Sequence, residues 1–175
     1  MRKNKLFIFL LTLILSVSCL SSIAFGHSIN IASDDTELNW YFVNRGKDTL
    51  PECPKEATGL LSKYDAYYLG DTNEKVVYLT FDEGYENGYT PKILDILRDE
   101  KVPAAFFVVK PYIVSNPEII KRMSDEGHLV CNHSNHHPSM ATVTDPEKFK
   151  AEFTDVEEAY KEVKASFDGM MSNFN

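Results

Sequence analysis

Lys75-Val76-Val77-Tyr78-Leu79-Thr80-Phe81-Asp82-Glu83-Gly84 is the stretch on which the fold turns. Val76 to Phe81 is a continuous β-prone run, the pattern expected of a strand buried on both faces. Downstream, Thr90-Pro91 supplies an N-cap and an N1 proline, and Ile93, Leu94 and Leu97 form the apolar face of a helix. Pro103 to Val109 contains Ala-Ala-Phe-Phe-Val-Val, a second buried strand. Ser115-Asn116-Pro117-Glu118 opens a second helix, with Ile119, Ile120 and Met123 inward and Gly127 as its stop. His128-Leu129-Val130-Cys131 is a short third strand. Asp145-Pro146 then caps a third helix, whose Phe149, Phe153, Val156, Tyr160 and Val163 recur at 4, 3, 4, 3 spacing. Strand then helix, three times over, predicts an α/β fold with a parallel sheet or barrel.

In such folds the chemistry sits at the carboxyl ends of the strands. Two polar clusters fall there. The first is Thr80-Phe81-Asp82-Glu83-Gly84, after the first strand. Adjacent carboxylates at a buried strand end are costly unless a cation or a proton shares the site. The pentapeptide alone reads equally well as a solvated acidic turn. The second cluster is Asn132-His133-Ser134-Asn135-His136-His137-Pro138, after the third strand. His133 and His137 are four apart, so one helical turn or a tight loop can aim both imidazoles at one ion. His136 is then the bystander and His128 a strand residue. Imidazole with carboxylate suits Zn²⁺ and similar divalent transition metals. A histidine pair by itself is more often structural, but two clusters at equivalent strand ends point to a metal-assisted hydrolase.

The composition of the 175 residues agrees with one packed domain: 43% are hydrophobic, and 11 Phe, 9 Tyr and 1 Trp are present. Disorder is excluded on that ground. Eighteen basic against 26 acidic residues give a net charge of −8, with no basic cluster, which argues against nucleic acid and anionic membrane surfaces as partners. Cys19, Cys53 and Cys131 are too few for a disulfide-built scaffold.

Residues 1–26 read as an export signal peptide. Arg2, Lys3 and Lys5 precede an apolar run from Leu6 to Leu15, and Ala24-Phe25-Gly26 offers a cleavage site before His27. That run is about half the roughly 20 residues of a spanning helix, so no stable membrane span is expected after cleavage. Cleavage before Cys19 with lipidation there, and an uncleaved anchor, are the alternatives. Removing the three basic residues of the signal leaves 15 basic against 26 acidic, a net of −11. Residues 27–66 form an N-terminal extension with little regular pattern. Its Trp40-Tyr41-Phe42 cluster offers an anchor onto the domain that follows, over 67–175. The spacing of Cys53 and Cys131 neither supports nor excludes a bridge.

Thr80-Phe81-Asp82-Glu83-Gly84 and His133-Ser134-x-x-His137 resemble the first two motifs of polysaccharide deacetylases with a NodB-type domain. Glu126-Gly127-His128 leading into Asn132-His133-Ser134 is also similar to that family. Tyr67-Tyr68-Leu69-Gly70, the run from Thr80 to Thr90, and Met123 to His128 resemble one branch closely. That branch is the delta-lactam-biosynthetic de-N-acetylases, which act on N-acetylmuramic acid in spore-cortex peptidoglycan. The likeness extends over roughly residues 60–164. It implies a metal-dependent amide hydrolase, exported to the cell wall or spore cortex space, with peptidoglycan glycan strands as partner. It further implies Asp82 as catalytic base and His133 and His137 as ligands of a divalent cation. Glu83 stands where the family usually has a third, aspartate ligand; its extra methylene lets it reach the ion or swing out.

The resemblance also implies a distorted seven-stranded (β/α)7 barrel, of which about three β/α units are present. An Arg-x-Pro motif, an Asp/Trp-containing motif and a Leu-x-His motif, whose histidine is the family's general acid, are not found before Asn175, and no histidine follows His137. Residues 165–175 do not resemble the family's continuation, which fits a frameshifted or prematurely ended reading frame. With strand edges and inner faces uncovered, the chain alone is expected to be poorly folded and inactive. A truncated remnant or a secreted, non-catalytic glycan-binding module is the alternative reading.

Overall fold

A computed structural model describes residues 36–47 and 49–172. The signal peptide read over 1–26, and the start of the extension that follows it, lie outside the described residues. Three parallel strands, β1 (Thr80–Glu83), β2 (Ala105–Val108) and β3 (Leu129–Asn132), form one sheet in the order β1-β2-β3. The register pairs Asp82 with Phe107, and Phe107 with Cys131. The helices are α1 (Thr58–Lys63), α2 (Thr90–Glu100), α3 (Lys110–Ser115), α4 (Pro117–Asp125) and α5 (Pro146–Ser172).

Strand residues alternate faces, and the two faces of this sheet differ sharply. Phe106 and Val108 of β2 point to the helix layer and are fully buried with Leu94 of α2, Ile113 of α3, Ile120 and Met123 of α4, and Val156 and Ala159 of α5. Phe81 stacks on Phe106 with ring centres 4.9 Å apart. This is the core, and the helix faces read from the sequence at 93–97 and 119–123 supply it. Across the layer, Arg122 of α4 joins Asp95 of α2 at 2.7 Å and donates to the Pro91 carbonyl at 3.0 Å. The opposite face carries Thr80, Asp82, Ala105, Phe107, Leu129 and Cys131 by alternation. It borders an open hollow of about 710 Å³, walled by Trp40, Phe42, Tyr68, Tyr78 and Phe107. Trp40 and Phe42 both pack against Tyr68, so the aromatic cluster of the extension does meet the following segment.

Several local expectations change. The first strand begins at Thr80 instead of Val76, and Val76, Val77 and Tyr78 are exposed. Among the described residues β1 pairs only with β2, so no second neighbour buries that run; only the Leu79 carbonyl joins the ladder, accepting from Ala105 N–H. Phe149 and Phe153 are exposed and pack on each other at 5.4 Å, whereas Val156 further along the same stripe is buried. Thr90 lies inside α2, with Tyr89 as N-cap. His128 precedes β3 and is buried, its Nδ1 accepting from Ala104 N–H at 3.2 Å. The extension, read as irregular, contains α1 and an antiparallel bridge between Val43 and Glu52. Cys53 and Cys131 are both free thiols. Gly127 has φ +84°, which only glycine adopts without strain, and it ends α4 as read. Among the described residues no helix is long and apolar enough to cross a membrane.

Candidate active site

The carboxyl ends of β1 and β3 bring three of the four sequence-selected residues together. Asp82 projects from β1 on the open face of the sheet, its side chain 68% exposed. His133 follows β3 directly, its N–H donating to the Val108 carbonyl at 3.1 Å and prolonging the ladder by one residue. Its Nε2 lies 4.0 Å from Asp82 Oδ2, and its ring sits edge-on to Phe107 at 6.2 Å. His137 comes back beside it, the two imidazole centres 4.5 Å apart. All three line an open cleft of about 510 Å³, with Tyr85 and Pro111 on its walls.

A tight loop, not a helical turn, produces the four-residue spacing. Asn132 Oδ1 accepts from Ser134 N–H at 2.9 Å, and Ser134 Oγ accepts from His137 N–H at 3.0 Å. Ser134 and His137 both take left-handed backbone angles, φ +67° and +55°. Non-glycine residues hold that conformation only where their surroundings impose it. Here the surroundings are largely α5. Its Glu152 carboxylate takes the His136 N–H and meets the His136 Nδ1, each at 2.8 Å. Burial would raise the Glu152 pKa, but the hydrogen bonds from His136 outweigh it and hold the carboxyl below its ordinary value. His136 is turned to α5, and its exposed ring also borders the cleft.

Glu83 stands apart. It shares a register row with Val108 and Asn132, on the helix side of the sheet. It does not line the cleft, and its Oε2 lies 3.5 Å from the Thr90 hydroxyl. Partial burial, with the nearby Glu86 charge, raises its pKa despite the Thr90 hydroxyl. The same corner holds Tyr112 of α3, whose hydroxyl donates to Glu86 Oε2 at 2.8 Å. Among the described residues no three His, Cys, Asp or Glu side chains are grouped to hold a metal ion. The two neighbouring imidazoles are fitting nitrogen donors for a divalent transition ion; Glu83, as it stands, does not join them.

Sequence reasoning missed Glu152, Asp155, Glu86 and Tyr112. The first two belong to the polar side of an amphipathic helix, which reads as solvent-facing. The amides Asn132 and Asn135 beside the histidines were the available signal, because a loop rich in donors needs acceptors nearby.

The model of one protein family, polysaccharide deacetylase, matches residues 69–168. The chain belongs to the polysaccharide deacetylase family. A peptidoglycan-N-acetylmuramic acid deacetylase, PdaA of Bacillus subtilis (strain 168), is 44% identical over 148 residues, 83% of this chain and 56% of that protein. A chitooligosaccharide deacetylase of Rhizobium leguminosarum bv. trifolii is 39% identical over 88 residues, covering 50% of this chain and 40% of the relative. The structure of B. subtilis PdaA, a family 4 carbohydrate esterase, superposes with a TM-score of 0.70 at 45% identity, over 74% of this chain and 55% of that one. A family 4 carbohydrate esterase from Bacillus anthracis gives 0.61 at 46% identity, over 71% and 56%. The parallel α/β architecture is thus that of family 4 carbohydrate esterases, matched over part of their length. The chain spans about half the length of the curated relatives it matches.

Proposed function

We propose that this chain carries the base and histidine half of a metal-dependent deacetylase of peptidoglycan. In this reading it removes the acetyl group from N-acetylmuramic acid, and the freed amine serves muramic delta-lactam formation in the spore cortex. The observation that carries the proposal is Asp82 beside the His133–His137 pair in one open cleft. The 44% identity to an N-acetylmuramic acid deacetylase supports the substrate. Export to the cell wall or cortex space is part of the proposal, supported by the basic and apolar pattern of residues 1–26.

The reaction adds water across the amide C–N bond: the water oxygen goes to the acetyl carbon, the nitrogen leaves with a proton, and acetate and a free amine result. A divalent cation on His133 and His137, when bound, supplies polarisation of the acetamide carbonyl and acidifies water. Asp82 is exposed in the cleft and so has room to take the proton of the attacking water, the role of a general base. Phe107 buttresses the His133 ring from the sheet side. The open cleft mouth admits a polymeric glycan.

Acetate release from N-acetylated cortex peptidoglycan, with and without added zinc, tests this reading. Zinc-dependent acetate release by the chain, lowered about 10²- to 10⁴-fold in kcat by Asp82→Asn, bears this reading out and overturns the expectation of an inactive remnant. Glycan binding without acetate release would replace it with the non-catalytic binding module. Undiminished turnover by Asp82→Asn would overturn the role of Asp82.

A further inference from the structure

The histidine loop is held from outside the cleft by one helix. Glu152 and Asp155, three apart and so on one face of α5, both direct their carboxylates at it. Glu152 holds His136 through two 2.8 Å contacts. Asp155 Oδ2 accepts from Asn135 Nδ2 at 2.9 Å and from Lys110 Nζ at 3.0 Å. Between them, the Phe153 carbonyl accepts from Asn132 Nδ2 at 2.9 Å. Asn135 is buried, so its amide depends on this partner. Lys110 begins α3 directly after β2, so the Asp155 carboxylate ties the ends of two strands together.

We propose that Glu152 and Asp155 are positioning residues for the His133–His137 pair. Neither lines the cleft; they act through His136 and Asn135, the residues between the two imidazoles. The loop has two left-handed non-glycine residues, Ser134 and His137, one of them a ligand imidazole itself. A loop of this kind relaxes when its outside anchors are cut, and the imidazoles then lose their shared aim. Partners that orient metal ligands from behind are commonly worth 10- to 100-fold in metal affinity. This inference rests on the reading of His133 and His137 as an ion-binding pair.

Two measurements on the full chain separate the two ideas. Zinc affinity by calorimetry is compared for wild type, Glu152→Ala, Asp155→Ala, their Glu152→Gln and Asp155→Asn counterparts, and Glu158→Gln as an exposed α5 control. Amide hydrogen exchange of residues 133–137 is followed on the same proteins without metal. The alanine variants are expected to lose about 10- to 100-fold in zinc affinity, with faster exchange confined to the loop and unchanged exchange at Phe106 and Val108. The amide variants, which keep an acceptor oxygen, recover part of both. Loop exchange unchanged in the alanine variants overturns the proposal, as does faster exchange with zinc affinity intact. If wild type takes up no zinc, the ion-binding reading falls, and the loop exchange alone then decides whether α5 clamps the loop.

Discussion

Replacing Tyr112 by phenylalanine removes one oxygen and leaves the shape of the core intact. Tyr112 is buried, and its hydroxyl donates to Glu86 Oε2 at 2.8 Å while lying 3.2 Å from the Thr90 hydroxyl. Hydrogen bonds to charged groups contribute about 1.5 to 3 kcal/mol. Glu86 is only half-buried and keeps the backbone N–H groups of Gly88 and Thr90. Tyr112→Phe should therefore cost toward the lower end, about 1.5 to 2 kcal/mol at neutral pH. The loss should also depend on pH. Burial raises the Glu86 pKa, but the hydroxyls of Thr90 and Tyr112 and the two N–H groups outweigh it, and the carboxyl lies below its ordinary value. A depressed folded-state pKa contributes stability above the unfolded value, lost as pH falls through the folded one. The tyrosine hydroxyl is pushed up by burial and stays protonated throughout. The difference between wild type and variant should then shrink below about pH 4. Urea unfolding followed by far-ultraviolet circular dichroism at neutral and acid pH measures it. A neutral-pH loss under about 0.5 kcal/mol, or one equal at both pH values, refutes the reasoning.

Three further outcomes follow from the same geometry. Glu83→Gln should leave zinc affinity within about threefold of wild type while His133→Ala lowers it tenfold or more, because the Glu83 carboxylate faces Thr90; a comparable loss in both places Glu83 on the ion. Phe106→Ala empties the centre of the core and should cost about 3 to 5 kcal/mol in urea unfolding; a loss near 1 would mean that the sheet and helices are not packed around it. Lys101 closes α2 at φ +56°, so Lys101→Gly should raise stability by about 0.5 to 1 kcal/mol, and a destabilised variant would contradict the left-handed cap.

The three β/α repeats and the core-facing residues Leu94, Phe106, Ile120 and Met123 were legible because hydrophobic periodicity reports burial directly. The boundaries of β1 were not, since Val76 to Tyr78 has strand chemistry but, among the described residues, no strand to pair with. Helix α3 escaped notice because six residues are too few to show a period, and its Pro111 reads as a breaker. Phe149 and Phe153 carry the right spacing but stay exposed, packed on each other and not in the core. At the site, Asp82, His133 and His137 could be picked by residue type and strand-end position. Side-chain direction at Glu83 could not: two consecutive strand carboxylates face opposite sides, and only the register says which one meets the histidines. Glu152 and Asp155 were hidden for a different reason. Their partners, His136 and Asn135, lie 16 and 20 residues earlier, a pairing that no local pattern encodes.

Trp40 is the single tryptophan of the chain and stands half-exposed among Phe42, Tyr68 and the open hollow beside Phe107. Tryptophan emission, excited beyond the absorption of the nine tyrosines, is therefore a one-residue signal from the uncovered side of the sheet. Any polypeptide or glycan that settles into the hollow will shift that emission to the blue, while one bound at the histidines alone will leave its colour unchanged. The molecule carries its own optical label for telling the two surfaces apart.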